Sequence, residues 1–153
     1  TLVLPEPKIQ ENTQLIPGTN GGKMSKSQGN IINLFLPDKK LRKQIMGIET
    51  DSTPLEDPKN PDTCNCFALF KLLATEEQTS EMRQNYLAGG YGYGHAKRAL
   101  FELIVDKYKE EREKFNYYIE NPHLIEEQLQ IGAKKATKVA NEVLGKVRNK
   151  LGY

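Results

Sequence analysis

The sequence predicts a mainly α-helical bundle. From about residue 38 onward, apolar residues recur three and four positions apart, the spacing that lines one face of a helix. The strict alternation that marks a half-buried strand is almost absent. A hydrophobic fraction of 37 % beside 27 % charged residues suits helices with one buried face. No apolar run approaches the roughly 20 residues that cross a bilayer, and no secretory signal opens the chain. At 153 residues there is room for one domain of ordinary size with a core.

The first thirty-odd residues have little helical periodicity and carry Pro5, Pro7, Pro17 and several glycines. They predict an extended segment, then a mobile loop, then a helix start around Asn30–Phe35 that Pro37-Asp38 interrupts. Asp38 is placed to cap a helix with Leu41, Ile45 and Ile48 on one face. Residues 51–63 read as a loop, because Pro54, Pro58 and Pro61 exclude regular structure. A short helix follows, with Phe67, Phe70, Leu73 and Ala74 inward. Thr75-Glu-Glu-Gln78 is a capping box for the next helix, which ends near Leu87, before Gly89-Gly90. Tyr91-Gly-Tyr-Gly94 leads into the longest helix, whose stripe runs through Ala96, Leu100, Ile104, Tyr108, Phe115 and Ile119. Asn121-Pro122 ends it. A last helical segment carries apolar residues from Leu124 to Leu151, with Gly132 a candidate break.

The chemistry concentrates at Lys23-Met24-Ser25-Lys26-Ser27, between Pro17-Gly-Thr-Asn-Gly-Gly22 and Gln28-Gly-Asn30. Two ammonium groups three residues apart, with hydroxyls at Ser25 and Ser27, suit a polyphosphate. The preceding glycines let the segment move, so a basic loop can close on a nucleotide as charge shifts onto leaving pyrophosphate. A plain solvated lysine turn has the same composition. Chance produces this pentapeptide about once in twenty thousand chains of this length, which favours the specific reading. A P-loop is excluded, since no Gly-x-x-x-x-Gly-Lys-Ser/Thr string occurs.

The pentapeptide resembles the second ATP-binding signature of class I aminoacyl-tRNA synthetases. Further segments resemble the tryptophanyl-tRNA synthetases of bacterial type, in that family's order: Leu15–Gly22, Ile48–Thr53, Pro58–Asn65, Tyr93-Gly94 with Ala96-Lys97, and Gly132–Ala136 with Val147-Arg148. The resemblance implies that residues 1–36 are the tail of a Rossmann-like catalytic domain with the signature loop. It implies that residues 37–153 are a helical tRNA anticodon-binding domain. The family's His-x-Gly-His signature is missing, as His95 and His123 stand alone. The expectation is therefore a C-terminal fragment, inactive by itself, of a cytoplasmic enzyme. The parent activates tryptophan with ATP and Mg²⁺, charges tRNA-Trp, and dimerises through the missing catalytic region. In this scheme Lys23 and Lys26 contact the phosphates catalytically. Met24 seats the loop, and Ser25 and Ser27 hydrogen-bond to phosphate or to the closed loop. A non-catalytic tRNA-binding module and a helical protein-interaction domain are the rival classes.

Cys64 and Cys66 are too close in sequence for an unstrained disulfide and lack further metal ligands. They read as helix-start thiols of a reducing cytosol, and no metal site is expected. Net charge is only +2, yet residues 132–153 carry six basic residues against Glu142, a net +5. Reading single-stranded anticodon bases takes stacking surfaces, guanidinium or amide donors and phosphate-neutralising charge. The candidates are Tyr91, Tyr93, His95, Lys97 and Arg98, with Lys134, Lys135 and Lys138 on the last helix. Each has a plain alternative: Tyr93 a core residue, His95 a capping one, the lysines a solvated face.

Overall fold

The computed structural model describes residues 3–8 and 15–152. The part of the predicted extended segment at residues 9–14 lies outside them. Among the described residues there are six α-helices, α1 (Asp38–Met46), α2 (Asn65–Leu73), α3 (Glu76–Ala88), α4 (Tyr93–Lys107), α5 (Lys109–Glu120) and α6 (Pro122–Leu151). No strand forms among those residues, and one isolated bridge joins Pro17 to Lys23. The chain divides into two compact units, Gln10–Arg112 and Thr1–Ile9 with Glu113–Tyr153. No described helix is long and apolar enough to cross a membrane.

In the first unit α4 packs on both α1 and α2, and α3 packs on α2. Ala96, Leu100 and Ile104, four residues apart, form the buried face of α4. They meet Leu41 and Ile45 of α1, Ile48 just beyond it, and Cys66, Phe67, Leu69 and Phe70 of α2 in one cluster. Tyr86 of α3 is fully buried at its centre, with ring centroids 5.6 Å from Phe67, 5.9 Å from Tyr91 and 6.1 Å from Tyr93. The two cysteines are free and buried. Burial pushes the Cys66 thiol up to about 12, which makes it a poor nucleophile.

Capping follows the sequence at α3. The Thr75 hydroxyl accepts from the Gln78 N–H, and the Gln78 side chain accepts from the Thr75 N–H. Elsewhere lysines close C-termini: Lys97 Nζ donates to the Met46 carbonyl of α1, and Lys107 Nζ to the Leu73 carbonyl of α2.

Four expectations are corrected. No helix starts at residues 30–35. Asn33 Oδ1 takes the Phe35 N–H in a side-chain turn, and the Arg112 guanidinium takes the carbonyls of Leu34 and Leu36. So short a run before a proline cannot repay helix nucleation against those competitors. Asp38 is the first residue of α1 rather than its cap, and its carboxylate pairs with Arg112 at 2.5 Å. The long helix predicted to follow Tyr91–Gly94, with its stripe from Ala96 to Ile119, is broken at Tyr108, whose φ of −107° and ψ of 22° leave the helical region. Its flanks still bond through it, since Tyr108 N–H donates to Ile104 and Arg112 N–H to Tyr108. The longest helix is instead α6, 30 residues in which Gly132 makes no break. In the second unit α6 starts with Pro122 in its first turn and ends at Gly152. None of its residues is buried.

The loop between α1 and α2 is held from inside by Lys59, which is 2 % exposed. Its Nζ donates to the carbonyls of Pro54, Leu55 and Asp57 at 2.9, 3.2 and 3.0 Å, which uses all three ammonium hydrogens. The charge also lies 5.5 Å from the Tyr93 ring centroid, and the Lys59 N–H donates to the Tyr86 carbonyl. Gly89 ends α3 beneath this loop. At its φ of 77° a Cβ would lie 2.4 Å from the Glu56 carbonyl oxygen. Lys59→Ala strands three inward carbonyls, so urea denaturation is expected to show a loss of about 2–4 kcal/mol with the helical content unchanged.

Candidate functional site

The segment from Ile16 to Asn30 folds back on itself. Met24 N–H donates to the Ile16 carbonyl at 2.8 Å, Gly18 N–H to Gly22 at 2.7 Å and Gly21 N–H to Gly18 at 3.1 Å. Lys26–Gln28 make one 3-10 turn closed by Gly29 in the left-handed region. Two bonds mount this hairpin on the bundle. Asn65 Nδ2, at the start of α2, donates to the Gly18 carbonyl at 2.7 Å, and Glu49 N–H donates to the Thr19 carbonyl at 2.8 Å.

The base of the loop is tight. Gly18 is buried, and a Cβ there would sit 2.3 Å from Asn30 Nδ2 and 2.7 Å from the Asn30 carbonyl oxygen. The signature itself faces solvent. Lys23, Lys26 and Ser27 are exposed and Met24 and Ser25 half-buried. The Ser25 and Ser27 hydroxyls are 2.8 Å apart. Among the described residues no carboxylate pairs with Lys23 or Lys26. Two exposed lysines and two neighbouring hydroxyls thus stand on one hydrogen-bonded loop, a set of donors suited to a polyanion. Met24 lies on an apolar groove of about 280 Å³ that also takes in Ile16, Ile32, Leu34, Leu69 and Leu100.

The start of α4 gathers part of the second candidate set. Tyr93 is half-buried, and its hydroxyl donates to Asp51 Oδ1 at 2.7 Å. Lys97 is committed to the α1 carbonyl end. His95 packs tilted against Tyr91, with centroids 5.5 Å apart and the ring planes at 51°. Arg98 and His95 are exposed, and with Arg42, Met46 and Leu55 they line a cleft of about 310 Å³. Lys134, Lys135 and Lys138 are exposed on α6, in the other compact unit.

Two kinds of residue escape sequence reasoning. Asn20, Asn30 and Asn65 organise the loop through side-chain amides; Asn20 and Asn30 adjoin glycines, and Asn65 has no such signal. Arg42 comes to His95 and Arg98 purely through the packing of α1 on α4. No group of three or more metal-ligating side chains occurs among the described residues.

The glycine-flanked Lys-Met-Ser-Lys-Ser loop is thus mounted on a helical bundle through Asn65 and Glu49. A family model described as tRNA synthetases class I (W and Y) matches residues 3–109. The tryptophan–tRNA ligase of Campylobacter jejuni (strain RM1221) is 46 % identical over 149 residues, covering 97 % of this chain and 47 % of that protein. That of Fusobacterium nucleatum is 42 % identical over 97 % of this chain and 46 % of its own length. The crystal structure of the Campylobacter jejuni tryptophanyl-tRNA synthetase complexed with ADP and tryptophan superposes with a TM-score of 0.86. It is 45 % identical and is matched over 98 % of this chain and 47 % of that one. The chain belongs to the tryptophanyl-tRNA synthetase family. It spans about half the length of the relatives it matches.

The Tyr93–Asp51 pair carries a pH signature. Burial first, and then the hydrogen bond to Asp51, push the Tyr93 hydroxyl up from 10.0 to about 12. Hydrogen bonds from Thr53 and then Tyr93 hold the Asp51 carboxyl below its ordinary 3.8. A raised tyrosine favours the folded state fully below pH 10.0 and loses that contribution as pH climbs through about 12. The urea midpoint is expected to fall over that window, and less steeply in Tyr93→Phe; identical slopes would contradict the assignment.

Proposed function

We propose that this chain works as the C-terminal half of a tryptophan–tRNA ligase. Residues 1–36 close the catalytic domain, and residues 37–153 recognise the anticodon of tRNA-Trp. The enzyme activates tryptophan with ATP, which enters with Mg²⁺, and passes the aminoacyl group to tRNA-Trp in the cytoplasm. In this reading the enzyme dimerises through a catalytic region outside this chain.

The observation that carries this reading is the exposed Lys23 and Lys26 pair on a backbone pinned at Gly18 and Asn30. As tryptophan's carboxylate attacks the α-phosphorus, negative charge builds on the departing pyrophosphate. Lys23 and Lys26 stabilise that charge, and a group already in position does so without reorganising. Ser25 and Ser27 hydroxyls donate to phosphate oxygens when they turn from each other. Met24, in its apolar groove, seats the loop as the lysines engage. These contacts strengthen as charge develops, so they act on kcat more than on binding.

For tRNA, the geometry narrows the candidates. The Tyr93 hydroxyl and one Lys97 hydrogen are engaged by Asp51 and by α1, which favours the cleft of His95 and Arg98, joined by Arg42, as the place for an unstacked base, with Tyr91, Tyr93 and Lys97 beside it. Lys134, Lys135 and Lys138 supply phosphate attraction.

Two measurements test the proposal. In the full-length enzyme that carries this chain, Lys26→Ala should lower tryptophan-dependent pyrophosphate exchange at least about tenfold with KM little changed, and near-normal turnover would sink the loop's role. The chain should also bind tRNA-Trp with its native CCA anticodon about tenfold more tightly than a scrambled one at fixed salt. Equal binding that vanishes as salt rises would reduce the helical part to phosphate attraction.

A further inference from the structure

Asn30 follows the signature and is only 3 % exposed, inside the loop it closes. Its Nδ2 donates to Asn20 Oδ1 at 2.7 Å and to the Lys23 carbonyl at 3.0 Å, with Gln28 Oε1 further off at 3.3 Å. Its Oδ1 accepts the Ser25 N–H at 2.8 Å, and its backbone carbonyl accepts the Thr19 N–H at 2.9 Å. An amide nitrogen carries two hydrogens, so the two short contacts take them and Gln28 shares. One carboxamide thereby grips the Lys23 carbonyl and the Ser25 N–H, the peptide groups on either side of Met24. The first of those peptide planes adjoins Lys23, and the second leads through Ser25 into the 3-10 turn that begins at Lys26.

We propose that Asn30 is a positioning residue for the reaction, fixing the loop so that the Lys23 and Lys26 ammonium groups present themselves together to a triphosphate. The inference rests on the reading of the loop as an ATP-binding element. Asn30 touches no phosphate and works through the backbone of residues 23 and 25.

The chemistry requires this side chain. Three acceptors and one donor surround it, so an aspartate of the same shape has no N–H to give. Its charge would face the Asn20 and Lys23 oxygens in a buried place. The fit is steric as well, since any Cβ at Gly18 would overlap Asn30 Nδ2. Gly18, Asn20 and Asn30 interlock, so a segment with four glycines between residues 18 and 29 carries its own internal hydrogen bonds. Released, it would have to be ordered at each turnover, at the expense of the rate.

The test is tryptophan-dependent exchange of pyrophosphate into ATP by the full-length enzyme. Asn30→Asp is expected to lower kcat about 10- to 100-fold while KM for tryptophan stays within about twofold. Placed on a Lys23→Ala, Lys26→Ala background, the same change should add less than about a threefold further loss, because the groups it positions are gone. Full additivity would mean general destabilisation and would overturn the proposal. Unchanged kcat in Asn30→Asp beside an impaired Lys26→Ala would overturn the role of Asn30 and leave the ATP reading intact. Unchanged kcat in both would overturn the ATP reading, and the proposal with it. Should Asn30→Asp fail to fold, Asn20→Ala decides, because it removes the 2.7 Å acceptor at the exposed edge of the loop. A three- to tenfold loss of kcat is then expected, and wild-type kcat would overturn the proposal.

Discussion

Peptide groups outside helices and strands still have to be paired, and long stretches of this chain have neither element to pair them. A few long or amide side chains do that work. Asn30 satisfies the signature loop from inside, Lys59 the proline-rich loop before α2, and Arg112 the carbonyls of Leu34 and Leu36. Each is drawn in from the surface to a place where its donors match the carbonyls that face it. The ordered loops depend on these three residues more than on any local backbone preference.

The apolar core makes that pairing possible. α4 holds α1 and α2 together through Ala96, Leu100 and Ile104, and α2 presents Asn65 to the Gly18 carbonyl. The loop is therefore anchored at its base to a packed helix while its lysines stand in solvent. A rigid base and an exposed cationic tip are what a group acting on a developing phosphate charge requires. Tyr86 joins the same core to the α4 start through its contacts with Tyr91 and Tyr93. Tyr93 then reaches out to Asp51 and Lys59.

The two candidate regions differ in how well their residues could be chosen in advance. The loop lysines and serines are contiguous, so composition and spacing named them directly. The base-reading candidates were picked by proximity in sequence, and packing sorted them differently. Tyr93 and Lys97 each make one structural hydrogen bond, while Arg42, more than fifty residues from His95 along the chain, shares a cleft with it. Charge and aromaticity show that a residue is able to touch RNA, and only its neighbours show whether its polar atoms are already in use.

The sequence by itself determined the helical class, the buried faces of α1, α2 and α4, the capping box at Thr75 and the chemical character of the loop. These rest on local rules: 3.6-residue periodicity, short-range side-chain bonds and a contiguous motif. Tertiary structure alone decided where Asn30–Phe35 would stay irregular, because Arg112 competes for carbonyls from more than seventy residues away. It decided the break at Tyr108, which no proline or glycine announces, and the unbroken run of α6 through Gly132. It also decided that Asn30 would turn inward to become the keystone of the loop. A hydrogen bond between distant residues leaves no periodicity in the chain, so only the folded molecule records it.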